Sequence, residues 1–227
     1  MFKLKSKIII VNICFIIFLA KILYLLRLIL NKNTLICKRN KIELIIKLKE
    51  MNVGIIWGSD SGDTEDVMEY IVKKLSKYNV ENIHVENASI EDFTKFDILL
   101  LGISTWYDGD LQSDWERFFP TFKEINFGGK TIAIYGLGDQ YSYEDYFVDG
   151  IGILAKEVIR NKGEIIGYWP TDGYEFEESK ALFNKDLFYG LALDEGNQYE
   201  LTKARVDKWL IKLGFKLSDH NLAIKSQ

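Results

Sequence analysis

The chain of 227 residues has only two prolines, two cysteines and two histidines, and each shortage excludes a class of protein. So little proline, without a low-complexity run, excludes a collagen-like or disordered chain. Two cysteines cannot staple a small disulfide-rich scaffold. With 48% hydrophobic, 27% charged and 14% aromatic residues, the composition is globular. The length suits one domain, or a small domain with an appendage.

The shortages divide the chain near residue 50. Residues 1–50 contain no Gly, Pro, Trp or His, hold both cysteines (Cys14 and Cys37), and carry 11 Lys and Arg against 2 Asp and Glu, a net charge of +9. The remaining 18 basic and 31 acidic residues give residues 51–227 a net charge of −13. We therefore predict a basic, apolar extension over 1–50, a globular domain over 51–220 and a short tail over 221–227.

Three interpretations of residues 1–50 stay open. The apolar run 8–20 follows three lysines, but thirteen helical residues span about 20 Å, short of a hydrocarbon core of about 30 Å. Extension to residue 30, which would form a membrane anchor over 8–30, includes the charges of Lys21 and Arg27. No small-residue cleavage site of a signal peptide follows. The segment is also what translated A/T-rich DNA upstream of a start at Met51 would encode, and such a protein would be cytoplasmic. The third interpretation is an unassigned helix.

Short apolar runs alternate with helical periodicities after residue 51, a pattern typical of a doubly wound α/β fold with a parallel sheet. The predicted strands are Val53–Trp57, Ile83–Glu86, Ile98–Ile103, Thr131–Tyr135, Ile165–Tyr168 and Phe188–Leu193. The predicted helices are Thr64–Lys77, Leu111–Lys123, Asp145–Asn161 and Leu201–Leu213, with a short turn near Ile90–Phe93. About twenty residues before Leu191 break the pattern, which predicts an insertion that interrupts the last strand. Such sheets bind ligands beyond the carboxyl ends of their strands.

The loop after the first predicted strand has the composition of a phosphate cradle. It runs from residue 58 to residue 64 as Gly-Ser-Asp-Ser-Gly-Asp-Thr and leads into the first helix, whose N-terminal N–H groups attract anions. It contains neither a Walker sequence nor the glycine pattern of a dinucleotide fold. Residues 53–69 contain no Lys or Arg, so a phosphate here would be held by neutral donors, which excludes nucleoside triphosphate hydrolysis. A capped helix start at Thr64 remains the structural alternative.

Aromatic residues follow the third and fourth predicted strands. Trp106 and Tyr107 lie in the segment Ser-Thr-Trp-Tyr-Asp-Gly over residues 104–109, and Tyr143 ends the loop that begins at Leu137. Aromatic rings at strand ends are costly to leave in water without a planar partner. A planar ring system could therefore lie between Trp106 and Tyr143, with its phosphate reaching the first loop. Core packing is the alternative for any one of these rings.

These loops resemble those of flavodoxins of the long-chain class, and the resemblance covers residues 51 to about 217. Residues 59–64 resemble the phosphate motif of the family, and Thr105-Trp106 with Gly109 resembles its flavin-stacking loop. The segment Gly138-Asp139-Gln140 with Tyr143 resembles the loop on the opposite flavin face. Residues 167–174, followed by 190–195, resemble the long-chain insertion and the strand that resumes after it. The resemblance implies a five-stranded parallel sheet in the order 2-1-3-4-5, with helices on both faces.

The resemblance also implies one noncovalently bound FMN and a low-potential one-electron carrier. The peptide between Tyr107 and Asp108 would rotate on reduction to offer its carbonyl to the flavin. The implied cofactor-binding residues are Ser59, Asp60, Ser61, Gly62, Asp63, Thr64, Ser104, Thr105, Trp106, Tyr107, Asp108, Gly109, Leu137, Gly138, Asp139 and Tyr143. Two of them depart from the family pattern: Asp63 adds an acid beside the phosphate, and Ser104 replaces a common proline, which we expect to loosen the loop.

The expected partners are redox proteins, a flavodoxin reductase and oxidoreductases, docking at the acidic surface around the flavin. A membrane would be a partner only if residues 1–50 form an anchor, and the acidic charge disfavours nucleic acid. Residues 51–227 contain no Cys and only His84 and His220, so we expect no catalytic group and no metal site. The alternative function is an FMN-dependent NAD(P)H:quinone reductase of the same fold. A phospho-receiver is disfavoured because the strand ends carry Ser, Thr and aromatics instead of clustered acids.

Overall fold

The computed structural model describes residues 51–217, so the predictions for residues 1–50 and 221–227 lie outside the described residues. The strands are β1 (Asn52–Trp57), β2 (Asn79–His84), β3 (Ile98–Trp106), β4 (Asp110–Leu111), β5 (Thr131–Leu137), β6 (Glu164–Ile166), β7 (Trp169–Pro170), β8 (Leu182–Asn184), β9 (Leu187–Phe188) and β10 (Leu191–Leu193). The helices are α1 (Asp63–Lys74), α2 (Ser113–Phe122), α3 (Asp149–Arg160) and α4 (Tyr199–Lys212). Three-residue 3₁₀ turns occupy Val85–Asn87, Glu91–Phe93 and Glu144–Tyr146.

The main sheet is parallel in the order β2-β1-β3-β5, and the last position is shared by β6 and β10. Strand β6 pairs with Thr131–Ala133 of β5, while β10 pairs with residues 135–137 of the same strand. The fifth strand is thus one strand position filled by two segments. The predicted order 2-1-3-4-5 and the interrupted last strand are confirmed.

The insertion between β6 and β10 is more regular than the predicted loop. Its strands β7, β9 and β8 form a small antiparallel sheet in that order. The two main-sheet segments, in turn, are shorter than the predicted Ile165–Tyr168 and Phe188–Leu193. Strand β6 ends before Gly167, whose φ of +81° leaves the strand conformation, and Phe188 pairs with Trp169 in the small sheet instead.

Helices α2 and α3, which follow β4 and β5, begin later than predicted. Residues 110–111 form β4, which turns back antiparallel on the end of β3, so α2 begins at Ser113 instead of Leu111. A 3₁₀ turn precedes α3, which therefore begins at Asp149 instead of Asp145. Helix α4 begins two residues before the predicted Leu201.

Both faces of the central strands are covered, as the non-alternating apolar runs predict. Strand β1 is buried continuously from Val53 to Trp57, and β5 from Ile132 to Leu137. Helices cover the two sides of the sheet. Helices α1 and α4 are joined by an ion pair between Lys74 Nζ and Asp207 Oδ2 at 2.8 Å. Among the described residues, no helix combines the length and the apolar character needed to cross a membrane.

The close approach of the insertion to α3 yields a test of the fold. An alanine Cβ at Gly152 would lie 2.0 Å from the carbonyl oxygen of Lys180, which cannot move without shifting the backbone. A Gly→Ala change inside a helix normally stabilises by about 1 kcal/mol. We expect Gly152→Ala to reverse that sign and to lower the free energy of unfolding by about 1–3 kcal/mol, measured by urea denaturation.

The control is Lys156→Ala on the exposed side of α3, expected within about 0.5 kcal/mol of wild type. Unchanged stability of Gly152→Ala would contradict the contact.

Candidate cofactor-binding site

The loop after β1 forms a turn stabilised by its own side chains. Gly62 has a φ of +99°, in the left-handed region that favours glycine, and precedes the first residue of α1. Its N–H donates to Ser59 Oγ at 2.9 Å, and Ser61 Oγ donates to Asp63 Oδ2 at 2.7 Å. Because the first turn of a helix has N–H groups without intrahelical acceptors, this turn leads into a helix end whose N–H groups are open to an acceptor.

Thr64 supplies the most specific feature of this loop. The residue is only 1% exposed, and its Oγ1 has no hydrogen-bond partner among the described residues. The alternative in which Thr64 merely caps the helix is not observed, because Gly62 occupies the cap position and Thr64 lies in the first turn. A buried hydroxyl without a partner costs about 1–3 kcal/mol, so this donor is unsatisfied unless an acceptor binds beside it.

The side chain of Asp60 points away from this anion site. Its carboxylate accepts from Gln112 Nε2 at 2.9 Å and from Ser113 Oγ at 2.7 Å, at the start of α2. Partial burial tends to raise the pKa of Asp60, but these hydrogen bonds outweigh it and hold the pKa below its usual value. Asp60 therefore links the loop after β1 to the start of α2.

The loop after β3 presents two aromatic rings. The indole Nε1 of Trp106 donates to Ser104 Oγ at 3.0 Å, which fixes the orientation of the ring. Ser104 itself stays in the β3–β5 register opposite Leu137. The serine that replaces proline thus orients the indole, a role that the expectation of a looser loop did not include. Tyr107 has a φ of +45° and is 64% exposed.

The loop after β5 is organised by two carboxylates. Asp139 accepts from the backbone N–H groups of Tyr141 and Ser142, and Asn197 Nδ2 donates to it at 2.9 Å. Burial works to raise the pKa of Asp139, but these hydrogen bonds lower it below the usual value. The second carboxylate, fully buried Asp194 after β10, accepts from the side chain and backbone N–H of Gln140 and from Asn197.

The three loops meet in a cleft of about 240 Å³ at the carboxyl ends of β1, β3, β5 and β10. The residues that line it are Ser61, Asp63, Ser104, Thr105, Trp106, Tyr107, Leu137, Gly138, Asp139, Tyr143, Glu195 and Gly196. Ten of them are predicted site residues. The other predicted residues do not line the cleft: Ser59, Asp60, Gly62, Thr64, Asp108 and Gly109.

Glu195 and Gly196 are the lining residues that the sequence prediction missed. They follow closely after β10, whose end lies at the same edge as the other loops. The signal that could have found them is position alone, because every parallel strand ends at this edge. Their side chains belong to no phosphate or stacking motif.

The cleft is lined by acids without cations. Asp63, Asp139 and Glu195 line it, and none of its described lining residues is Lys or Arg. Burial raises the pKa of Glu195 above its usual value of 4.5, and a hydrogen bond from Thr202 opposes the shift only partly. Three neighbouring carboxylates raise the pKa further, those of Asp63, Asp66 and Asp194. A negative charge on Glu195 is therefore disfavoured in the folded protein.

This raised pKa predicts the pH dependence of stability. The folded protein holds the Glu195 proton more tightly than the unfolded chain, so its contribution to stability is full below pH 4.5 and is lost as pH rises through the raised pKa. We expect Glu195→Gln to stabilise the cofactor-free protein at about pH 7 but not at about pH 4. Urea unfolding across this range measures the difference.

The matched control is Glu124→Gln, which replaces an exposed carboxylate after α2. The difference in unfolding free energy between Glu124→Gln and wild type should not increase between about pH 4 and about pH 7. A constant gap between Glu195→Gln and wild type across that range would contradict the raised pKa.

Comparison with known proteins assigns the chain that forms this cleft to a family. The flavodoxin family model matches residues 55–209. Flavodoxin 1 of Escherichia coli strain K12 is 48% identical over 166 residues, which cover 72% of this chain and 93% of that protein. The flavodoxin of Haemophilus influenzae is 47% identical over 158 residues, covering 69% of this chain and 90% of that protein.

Solved structures agree with this assignment. The Fusobacterium nucleatum flavodoxin bound to flavin mononucleotide superposes with a TM-score of 0.68 at 32% identity, covering 73% of this chain and 99% of that chain. A point mutant of that flavodoxin, also bound to flavin mononucleotide, gives a TM-score of 0.69 at 31% identity, covering 74% and 98%. Over its acidic domain, this chain belongs to the flavodoxins, a family of electron-transfer proteins and not of enzymes.

Proposed function

We propose that the chain binds one FMN noncovalently in the cleft and carries single electrons at low potential between redox proteins. The main support for this proposal is the hydroxyl of Thr64. It is buried and has no partner among the described residues, so it is a free hydrogen-bond donor at the helix end where a phosphate would bind. The residues fit the cofactor: α1 offers N–H groups to a terminal phosphate, and the rings of Trp106 and Tyr143 line one cleft. The resemblance to FMN-bound flavodoxins supports the same assignment.

Each loop has a distinct task in this proposal. The 58–64 loop holds the phosphate through backbone N–H groups and the hydroxyls of Ser59 and Thr64, and also through Ser61 once its hydroxyl turns from Asp63 to the phosphate. Trp106, with its indole fixed by Ser104, and Tyr143 exclude water from the two faces of the ring system. FMN supplies the one-electron redox chemistry.

The turn from Trp106 to Gly109 is suited to the peptide rotation that the family resemblance implies. Its backbone has positive φ at Tyr107 (+45°) and Gly109 (+90°), and Gly109 N donates to Trp106 O at 3.1 Å. Glycine adopts either sign of φ at little cost, so Gly109, one peptide further along, lets the turn absorb a rotation of the Tyr107–Asp108 peptide that turns its N–H or its carbonyl toward the cofactor.

The acidic lining supports a low potential. A carboxylate about 8 Å away in a medium of effective permittivity about 20 opposes an added negative charge by about 2 kcal/mol. For a one-electron couple this corresponds to a shift of about 90 mV downward. Asp63 and Asp139 act in the same direction, Glu195 adds to them whenever it is ionised, and no described lining cation offsets them. The acidic surface also favours basic docking faces on the reductase and the electron acceptors.

The function is tested by identifying the cofactor released from the purified protein by mass spectrometry and recording its visible spectrum during stepwise reduction. We expect FMN at one equivalent per chain, because the loop offers a site for a terminal monophosphate. We also expect its reduction in two separate one-electron steps, as the proposed carrier function requires. Recovery of FAD, or no flavin uptake by the cofactor-free protein, would sink the proposal. Steady turnover of NAD(P)H with a quinone, without a partner reductase, would favour the quinone reductase alternative.

The Thr64 hydroxyl gives a test with two opposite signs. In Thr64→Val the buried donor is lost, so the cofactor-free protein should be more stable by about 1 kcal/mol in urea unfolding. The affinity for FMN, measured by calorimetry, should fall about tenfold to a hundredfold, because a hydrogen bond to a charged group contributes about 1.5–3 kcal/mol.

Riboflavin, which lacks the phosphate, is the internal control, and Thr64→Val should leave its affinity unchanged. The matched protein control is Thr94→Val, whose hydroxyl donates to Glu91 O before β3, away from the cleft. Equal losses for riboflavin and FMN would show that Thr64 does not serve the phosphate.

A further inference from the structure

A carboxylate outside the cleft lining has a single residue as its partner for both oxygens. Asp149, the first residue of α3, is 1% exposed. The backbone N–H of Lys180 donates to its Oδ1 at 2.6 Å, and Lys180 Nζ lies 2.7 Å from its Oδ2, an ion-pair contact that lacks the angles of a hydrogen bond. Lys180 belongs to the insertion, between β7 and β8. A buried carboxylate of α3 is therefore neutralised by the insertion alone among the described contacts.

The turn after β3 rests directly on this ion pair. A Cβ at Gly109 would lie 2.6 Å from Asp149 Oδ2 and 3.0 Å from Lys180 Nζ, so a larger residue here would displace the pair, and the φ of +90° disfavours it as well. The next residue of α3 holds the other side of the turn, because Gly150 N donates to Thr105 Oγ1 at 3.0 Å. The segment seated here, residues 105–109, presents Trp106 to the cleft.

The surroundings of the pair keep it in place. Ser179 Oγ donates to Phe147 O at 2.5 Å, which fixes the chain beside Lys180. The ammonium of Lys180 also lies 5.9 Å from the ring centre of Tyr146. The Lys180 side chain is half exposed whereas that of Asp149 is buried, so loss of the ammonium leaves a buried charge without its partner.

We propose that the Asp149–Lys180 ion pair is a positioning device through which the insertion sets the backbone and the local charge beneath the Trp106–Gly109 turn, and thereby the potential of the bound FMN. Both residues act through the turn and do not themselves line the cleft. The inference rests on the proposed function, since it concerns the same site. It gives the insertion a role in tuning the cofactor.

Two single variants that leave opposite charges unpaired distinguish an electrostatic effect on the potential from a simple loosening of the turn. Lys180→Met leaves the carboxylate unpaired beneath the turn, so the potential for the charge-adding second electron should fall. Asp149→Asn leaves the ammonium unpaired, so the same potential should rise. Lys180→Arg keeps the charge and should stay nearest to wild type. Potentials are measured by redox titration of the FMN-loaded full chain.

A second readout needs no cofactor. Hydrogen exchange of the Gly109 and Gly150 amides in the cofactor-free protein should be faster in Lys180→Met than in wild type. The matched control is Lys185→Met, which removes an exposed lysine of the same insertion and should leave both amides unchanged.

Shifts of opposite sign in the two variants, with faster exchange in Lys180→Met, support the proposal. Shifts of the same sign, no shift in either variant, or unchanged exchange at Gly109 overturn it. If wild type takes up no FMN, the proposed function fails instead, and the exchange measurement alone decides whether the insertion holds the turn.

Discussion

The site depends on one constraint, that parallel strands buried on both faces end at the same edge of the sheet. Strands β1, β3, β5 and β10 all run in the same direction, so the loops that follow them converge. None of these loops forms a cleft alone. The phosphate-type loop supplies donors, the next two supply rings, and the last supplies Glu195. Their registers along the shared sheet fix the distances between these groups.

The site combines attraction and repulsion for an anion. Attraction comes from neutral donors and a helix end, which provide direction without adding charge. Repulsion comes from the carboxylates of Asp63, Asp139 and Glu195, and the raised pKa of Glu195 reflects the mutual repulsion as well as burial. A ligand anchored by its phosphate can remain bound while the acids oppose further negative charge on its ring.

The insertion is part of the same construction. It divides the last strand into β6 and β10, yet both segments continue along β5, so the main sheet keeps its order. The small sheet β7-β9-β8 brings Lys180 back to the start of α3 and to the turn that carries Trp106. The insertion therefore contacts the turn that carries Trp106 on the side away from the cleft, and its own residues do not line the cleft.

The sequence by itself determined the fold class and, through the family resemblance, the strand order and ten of the twelve cleft-lining residues. It could do so because buried parallel strands are continuous apolar runs, and because the loops carry recognisable residue types. Strand β2 begins four residues before the predicted Ile83, since its polar residues at the sheet edge follow no apolar pattern and are strand only because β1 pairs with them. Only the tertiary structure turned the Asp60 side chain toward α2, brought Glu195 to the cleft and placed Lys180 beneath Gly109. These contacts join residues that lie far apart along the chain, and their geometry depends on how the helices and the insertion pack on the sheet, which no local pattern encodes.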